Sequence, residues 1–474
     1  MKERLIQLFA ERYGRRPDAI LDMAADGSSR QYFRLVWDGG RSVVGAIGPD
    51  HDENRAFLAF AGAFRAAELP VPEIISEDRE AGVWLEEDLG DTTLFEALTA
   101  ARSEPQDEPF PKEAEELFRK ALRILPRFQV LGHEVVDYRL AYPRQAFDKQ
   151  SIRWDLNYFK YHFLKLTHIE FNEQRLEDDF TRLTEELLQA DSNFFLYRDF
   201  QSRNIMIRDG DPWFIDFQGG RRGALQYDPA SLLYDAKANL PQPVRDRLLA
   251  HYLEALGELI PVDVDRFHHF YGGFVLVRLM QALGAFGYRG LFERKRRFLE
   301  SVPYAAKNLE GILAAGLPIP LPEIERVFHR IADRWASPES GAAAQSTLTV
   351  LIQSFSFKKG YPEDSEGHGG GHVFDCRGLP NPGRLPEYQE LTGKDRAVAD
   401  FLERAPAVQG FWENVKEIIE MHLRDYLDRG LTSLCVSFGC TGGQHRSVFM
   451  AEKLAVHLRE QFPQVEIDSR DREL

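Results

Sequence analysis

Residues 335–347 read WASPESGAAAQST, a run of small and polar side chains with neither a helical nor an alternating apolar period. A segment that offers nothing to bury does not run through a core. It therefore divides the 474-residue chain into parts that must each close a core of their own. The expected organisation is a first domain at 1–335, a linker at 336–345 and a second domain at 346–474. With 43% hydrophobic and 28% charged residues the chain is composed like a soluble globular protein, and no apolar run reaches the ~18 residues that span a bilayer. The first residues, MKERLIQLFAERYGRR, carry apolar side chains at helical spacing and read as a helix, without the unbroken apolar block of a secretory signal. The three cysteines, Cys376, Cys435 and Cys440, form no CxxC spacing and no disulfide framework, so the cytoplasm is the expected compartment.

Ahead of the linker two textures follow one another. ILDMA, QYFRLVW and RSVVGAI are short strand-like runs, the last two joined by the hairpin signal Asp38-Gly39-Gly40. The helical pattern DENRAFLAFAGAFRAAEL comes next, then strand-like pieces around PEIIS and VWLEEDL. From about Thr92 to Gln189, and again from Asp228 to Ala336, amphipathic helices dominate. The order predicts a strand-rich small lobe at about 1–90 and a helical large lobe at about 91–335. After the linker, LTVLIQSFSF, VFDCRGL and LTSLCVSFG read as strands, with one long helix between the last two and a closing helix behind them. That alternation predicts a smaller α/β domain with a largely parallel sheet.

Within the large lobe, FLYRDFQSRNIM and PWFIDFQ place Asp199, Asn204 and Asp216 at the edges of apolar segments, two of which are short strands joined by the turn RDGD. A single Asp or Asn there is usually a turn residue. Together they supply what phosphoryl transfer needs: a carboxylate to orient or accept the proton of an attacking hydroxyl, and amide and carboxylate oxygens to hold Mg²⁺ on ATP phosphates.

These motifs resemble the catalytic and metal loops of the aminoglycoside phosphotransferase-like kinases, a branch of the α+β protein-kinase-like bilobal fold. DGSSRQYFRL and LEEDLGDTTLFEAL are similar to the anomeric kinases of N-acetylmuramate and N-acetylglucosamine within that branch. The resemblance implies Asp199 as catalytic base and Asn204 and Asp216 as Mg²⁺ ligands. Gly27, Ser28, Ser29 and Arg30 would cover the ATP phosphates, and the hinge around Glu86 and Glu87 would dock adenine. No lysine occurs between Lys2 and Lys112, where the small-lobe kinase lysine belongs, so Arg30 or Arg34 is expected to neutralise the phosphates. Glu53, at the start of the small-lobe helix, is a candidate to pair with an arginine. Tyr197 stands where the family usually has His, a change expected to tune the loop. Asp155 and Tyr158, in RWDLNYFKYHFL, are candidate sugar contacts as well as ordinary members of an amphipathic helix. The chain moves from DFQ to YDPASLLYDA within about ten residues, too few for a protein-kinase activation segment, so the acceptor is expected to be a small molecule.

In the second domain SFGCTGGQHRS runs from strand to helix, a turn that either cradles an anion or is merely tight. It lacks the spacing of a nucleotide P-loop. FSFKKGYPED, VFDCRGLPNP, LTGKD and FGCTGGQHRS are similar, in that order, to the C-terminal domain of the RapZ family of RNase adapter proteins. The resemblance implies a sensor of an anionic amino-sugar phosphate that often forms oligomers, with Lys359, Asp375, Arg377, Cys440, Thr441, Gly442, Gly443, His445 and Arg446 at the matching positions. Cys440 reads as a small residue filling a tight loop ahead of a nucleophile beside His445. The histidines of the EGHGGGH insert, His368 and His372, are too sparse for a metal site. A net charge of -16 overall and about -5 beyond the linker, with no basic tail, argues against RNA.

The combined expectation is an ATP- and Mg²⁺-dependent sugar kinase acting on an anomeric hydroxyl and carrying a sugar-phosphate sensor. The competing one is a non-catalytic adapter, a pseudokinase fused to a regulatory domain.

Overall fold

The computed structural model describes residues 1–23, 30–103, 110–336, 348–362, 371–428, 431 and 433–473. It divides into two compact units, Met1–Gly341 and Ala342–Leu474.

Alternation in the N-terminal runs sets the small lobe. In β2 (Gln31–Trp37), Phe33, Leu35 and Trp37 point to one face and are buried against Leu5, Leu8 and Phe9 of α1 (Lys2–Tyr13). β1 (Ala19–Met23), β2, β3 (Arg41–Ile47), β4 (Ile74–Asp78) and β5 (Val83–Glu87) form one antiparallel sheet in the order β1-β2-β3-β5-β4. The three-residue loop Asp38-Gly39-Gly40 of the β2–β3 hairpin takes positive φ at every residue, 46°, 72° and 122°, a backbone that favours glycine. α2 (His51–Ala66) is capped by Asp50, which accepts from the N–H groups of Asp52 and Glu53. Its Phe57, Phe60 and Phe64 join the main core, which Trp84 of β5 also enters.

The large lobe is helical: α3 (Leu94–Ser103), α4 (Lys112–Val135), α5 (Lys149–Phe159), α6 (Glu173–Leu187), α7 (Tyr227–Leu233), α8 (Gln242–Gly257), α9 (Val264–Gly287), α10 (Val302–Ala315) and α11 (Pro322–Trp335). The segment Val264–Phe292 is long and apolar enough to cross a membrane, but 67% of its apolar window is buried inside the unit, as in a central core helix. Between α6 and α7 lie two small antiparallel pairs, β6 (Phe194–Leu196) with β9 (Arg221–Gly223), and β7 (Ile205–Arg208) with β8 (Asp211–Phe214). β7 and β8 are the expected pair around RDGD. The β6–β9 pairing was not expected, because Arg221–Gly223 has no strand-like composition and is held by its partner. Asp216 lies two residues beyond the end of β8 rather than at it.

The second unit has a four-stranded, all-parallel sheet in the order β11-β12-β10-β13, from β10 (Thr349–Ser356), β11 (His372–Asp375), β12 (Ser433–Cys440) and β13 (Glu466–Asp471). Its core draws on the sheet and on helices Pro406–Asp428 and Arg446–Gln461. β13 corrects the sequence reading, which ends on a helix. EIDSRD contains one apolar residue, so it shows no strand signal, and as an edge strand it takes its register from β10.

Candidate active site and anion loop

The loop after β6 is held from below by Asp228 at the start of α7. The two oxygens of Asp228 accept the N–H groups of Tyr197 (2.8 Å) and Arg198 (3.0 Å), and Gln129 Nε2 donates to one of them. Burial pushes the Asp228 carboxyl up to about 7, against the pull of those two N–H groups. Arg198, at φ +82°, sits in a conformation that costs a non-glycine residue energy. Its guanidinium is fixed by Asp155 and by the Tyr227 hydroxyl at 2.5 Å. Tyr197 is fully buried and its hydroxyl donates to the Ile215 carbonyl at 2.6 Å, which ties the loop carrying Asp199 to the loop carrying Asp216.

Asn204 closes the site. Its Nδ2 donates to the Asp199 carbonyl oxygen (2.9 Å) and to Asp216 Oδ2 (3.1 Å). Because the amide nitrogen is used inward, Oδ1 is the atom left to offer a cation. Gln218 Nε2 donates to Asp216 Oδ1 at 2.6 Å. Desolvation and then the charge of Asp199 raise the Asp216 carboxyl to about 6, with Arg30 acting in the opposite direction. The Asp216 carboxylate beside the Asn204 amide oxygen offers oxygen donors of the kind that suits a hard divalent cation. Asn204 and Asp216 therefore fit the metal that the sequence reading assigns to them. Gly219 was not singled out from the sequence, yet a Cβ there would come within 3.3 Å of Asp199 Oδ2. Gln218 was missed as well; the repeated DFQ at 199–201 and 216–218 was the available signal.

Arg30 is 2% exposed, pairs with Glu53 at 3.5 Å, and lies over the rings of Phe57 (5.1 Å) and Trp84 (5.3 Å). Phe57 in turn stacks on Phe217, next to Asp216, with ring centroids 5.0 Å apart. Arg34 is placed elsewhere, against both oxygens of Asp88 (2.6 and 3.0 Å) and against Asp91. Glu86 is buried, accepts from Trp84 Nε1 at 2.8 Å, and is pushed up to about 7 by burial. Glu87 pairs with Arg208 at 2.5 Å. Gly27, Ser28 and Ser29 lie outside the described residues. Asp155 is 5% exposed with both oxygens on Arg198, whereas Tyr158 is half-buried and packs on His162 and Tyr288.

In the second unit β12 ends at Cys440 and a helix begins at Arg446. Arg446 is buried and His445 nearly so; His445 Nε2 lies 2.8 Å from the Tyr388 carbonyl oxygen. Gly443 has φ +70°, and a Cβ there would collide with the side chain of Glu473, which pairs with Lys359. The Thr441 carbonyl accepts from Ser356 Oγ at 2.8 Å. Arg377 pairs with Asp375 and lies 4.0 Å over the Phe357 ring. His372 is paired with His422 at 2.7 Å, and His368 lies outside the described residues. Among the described residues no group of three or more His, Cys, Asp or Glu side chains is arranged to hold a metal ion.

Comparison with known proteins adds two family matches. Residues 21–266, just over half of the chain, match the phosphotransferase enzyme family, and residues 348–473 match the RapZ C-terminal domain. A nucleotide-binding protein of Azoarcus sp. is 45% identical over 121 residues, which are 26% of this chain and 40% of that protein. One of Methylobacillus flagellatus is 36% identical over 162 residues, 34% of this chain and 55% of that protein. The chain thus matches only about half or less of the length of these relatives. Among solved structures, an amicoumacin kinase bound to AMP-PNP, Ca²⁺ and amicoumacin has a TM-score of 0.43 at 14% identity, covering 70% of this chain and 97% of its own. A choline kinase of Cryptosporidium parvum has a TM-score of 0.46 at 10% identity, covering 69% and 100%.

Proposed function

The chain belongs to the phosphotransferase enzyme family through residues 21–266 and carries a RapZ C-terminal domain at 348–473, and from this premise we propose that it is an ATP-dependent kinase of a free N-acetylated amino sugar. The acceptor in this reading is the anomeric hydroxyl, and the C-terminal domain senses a related sugar phosphate.

The observation that supports it most is the Asn204 bridge between the Asp199 backbone and Asp216. It holds a base carboxylate and a cation-ready pair in fixed relation, and positioning together with charge neutralisation is most of what phosphoryl transfer asks of a protein. In this reading Asp199 orients the acceptor hydroxyl and takes its proton. Asn204 and Asp216 hold Mg²⁺, which supplies charge neutralisation on the ATP phosphates. Arg30, anchored by Glu53, stands in for the missing small-lobe lysine. The short path from Gln218 to α7 favours a small acceptor over a protein one. Tyr158 remains the candidate sugar contact with the freer side chain.

The absent lysine favours the rival reading, a pseudokinase adapter. ADP release measured with ATP and Mg²⁺ over a panel of free sugars separates the two. Turnover restricted to N-acetylated amino sugars is the expected result; ATP binding without turnover on any sugar would favour the adapter.

A further inference from the structure

Cys440-Thr-Gly-Gly-Gln-His-Arg446 puts a thiol at the end of a parallel strand and a guanidinium at the first turn of the following helix. The loop between them folds around the sulfur. Gly443 N–H donates to Cys440 Sγ at 3.2 Å, and Ser447 Oγ lies 3.1 Å from it. Burial pushes the Cys440 thiol up, but hydrogen bonds from the Ser447 hydroxyl and from the N–H groups of Ser447, Gly443 and Gly442 outweigh it and hold the thiol below its ordinary range. Cys376 is the contrast. It follows Asp375, which pairs in register with Gly439, and burial pushes its thiol up. Two buried thiols thus lie close together, Cys440 at the end of β12 and Cys376 in the turn just after β11, and they are shifted in opposite directions.

Arg446 supplies an independent observation. It is 4% exposed, and its Nη1 is fixed by the carbonyl oxygens of Arg377 (2.8 Å) and Leu379 (3.1 Å). Nη2 reaches Thr441 Oγ1 at 3.4 Å, within the loop, while Nε is buried without an acceptor. The Nε–Nη2 edge of a guanidinium grips two oxygens of a phosphate side by side, and a buried Nε without an acceptor is a cost that such an oxyanion removes.

We propose that the Cys440–Ser447 loop hydrolyses phosphate monoesters, with Cys440 Sγ as the nucleophile and Arg446 and the loop N–H groups holding the phosphoryl oxygens. The proposal deepens the reading of this loop as an anion cradle. In the first step the S–P bond forms while the P–O bond to the leaving group breaks, and the leaving oxygen keeps that electron pair. Asp375 is held ionised by its hydrogen bonds from Arg377 and is no proton donor, so the leaving oxygen departs as an anion or is protonated by water. Water then attacks phosphorus, the S–P bond breaks, and its electron pair returns to Sγ. Inorganic phosphate leaves, and the proton lost by the attacking water goes to solvent. The Ser447 hydroxyl stabilises the thiolate as it departs. Cys440 is only 3% exposed, which limits the reaction to a group small enough to enter the loop.

The test uses the full chain carrying Asp199→Asn, to silence the kinase half, with p-nitrophenyl phosphate as probe. Nitrophenolate release is expected, falling on the order of 1000-fold or more in Cys440→Ser. Acid quenching during turnover should leave a phosphoryl group on the peptide containing Cys440 by mass spectrometry, a readout that needs no Cys440 variant. Absence of both hydrolysis and phosphocysteine, or hydrolysis unchanged in a folded Cys440→Ser protein, overturns the proposal. Inorganic phosphate then tells the two readings apart. A rise in melting temperature that Arg446→Ala removes would leave the cradle standing without its nucleophile, and no rise would remove both.

Discussion

Arg198 and Asp155 meet as a two-point ion pair, each guanidinium nitrogen donating at 2.6 Å to a different carboxylate oxygen across 43 residues of sequence. The side chains are 15% and 7% exposed, so solvent screens the pair little. It holds the residue immediately before Asp199 in a left-handed conformation.

Asp155→Ala is therefore expected to destabilise the kinase unit by about 3 kcal/mol, because it leaves a buried guanidinium uncompensated. Turnover should fall more than KM for the sugar rises, with part of both losses recovered in Asp155→Asn. Urea unfolding together with steady-state kinetics checks this. A large rise in sugar KM at unchanged stability would instead make Asp155 a substrate contact.

Asp199→Asn should abolish phosphoryl transfer while leaving ATP affinity nearly unchanged, since only the handling of the acceptor proton is lost. Asp216→Ala should weaken nucleotide binding itself in the presence of Mg²⁺. Calorimetric titration of each variant with Mg²⁺-ATP distinguishes the two roles. Equal nucleotide affinity in both variants would show the metal ligand misplaced.

The Asp216 carboxyl, at about 6 when folded against an ordinary 3.8, binds its proton more tightly in the native protein. The sign follows from linkage: the stabilising contribution is fully present below about pH 3.8 and is lost as pH rises through about 6. In metal-free buffer the melting temperature of Asp216→Asn should accordingly gain on that of the wild type between those limits and keep its advantage above them. Added Mg²⁺ should reverse the order by stabilising the wild type alone. A temperature gap that does not vary with pH would refute the assignment.

A fragment beginning at Ser346 is expected to fold and to bind an amino-sugar phosphate far better than the free sugar. Charge-assisted contacts typically contribute ~1.5–3 kcal/mol, so Arg446→Ala should weaken that binding roughly tenfold or more. Thermal-shift titration measures both effects. Structured RNA at physiological salt should produce no shift, given the acidic balance of this part of the chain.

Local pattern in the sequence determined the elements and their grouping. Period-two burial in QYFRLVW, the Asp38-Gly39 turn, the helical faces of the large lobe and the unpatterned stretch at 335–347 are each properties of neighbouring residues, so they are legible without a fold. The grouping of Asp199, Asn204 and Asp216 into one candidate site was legible for the same reason, since all three sit within 18 residues of one another. Tertiary structure decided what depends on partners far away in the chain. Asp228 and Asp155 hold the loop ahead of Asp199 from 30 and 43 residues away, and nothing in their own neighbourhoods announces it. Arg30, just ahead of β2, pairs with Glu53, while Arg34, within it, pairs with Asp88, partners that lie 23 and 54 residues further along the chain. The strand at Glu466–Asp471 exists because β10 offers it an edge, and the thiol of Cys440 is set apart from that of Cys376 by which backbone N–H groups the loop turns toward it. Burial and hydrogen-bond direction are properties of the assembled chain, and they turn residue types into roles.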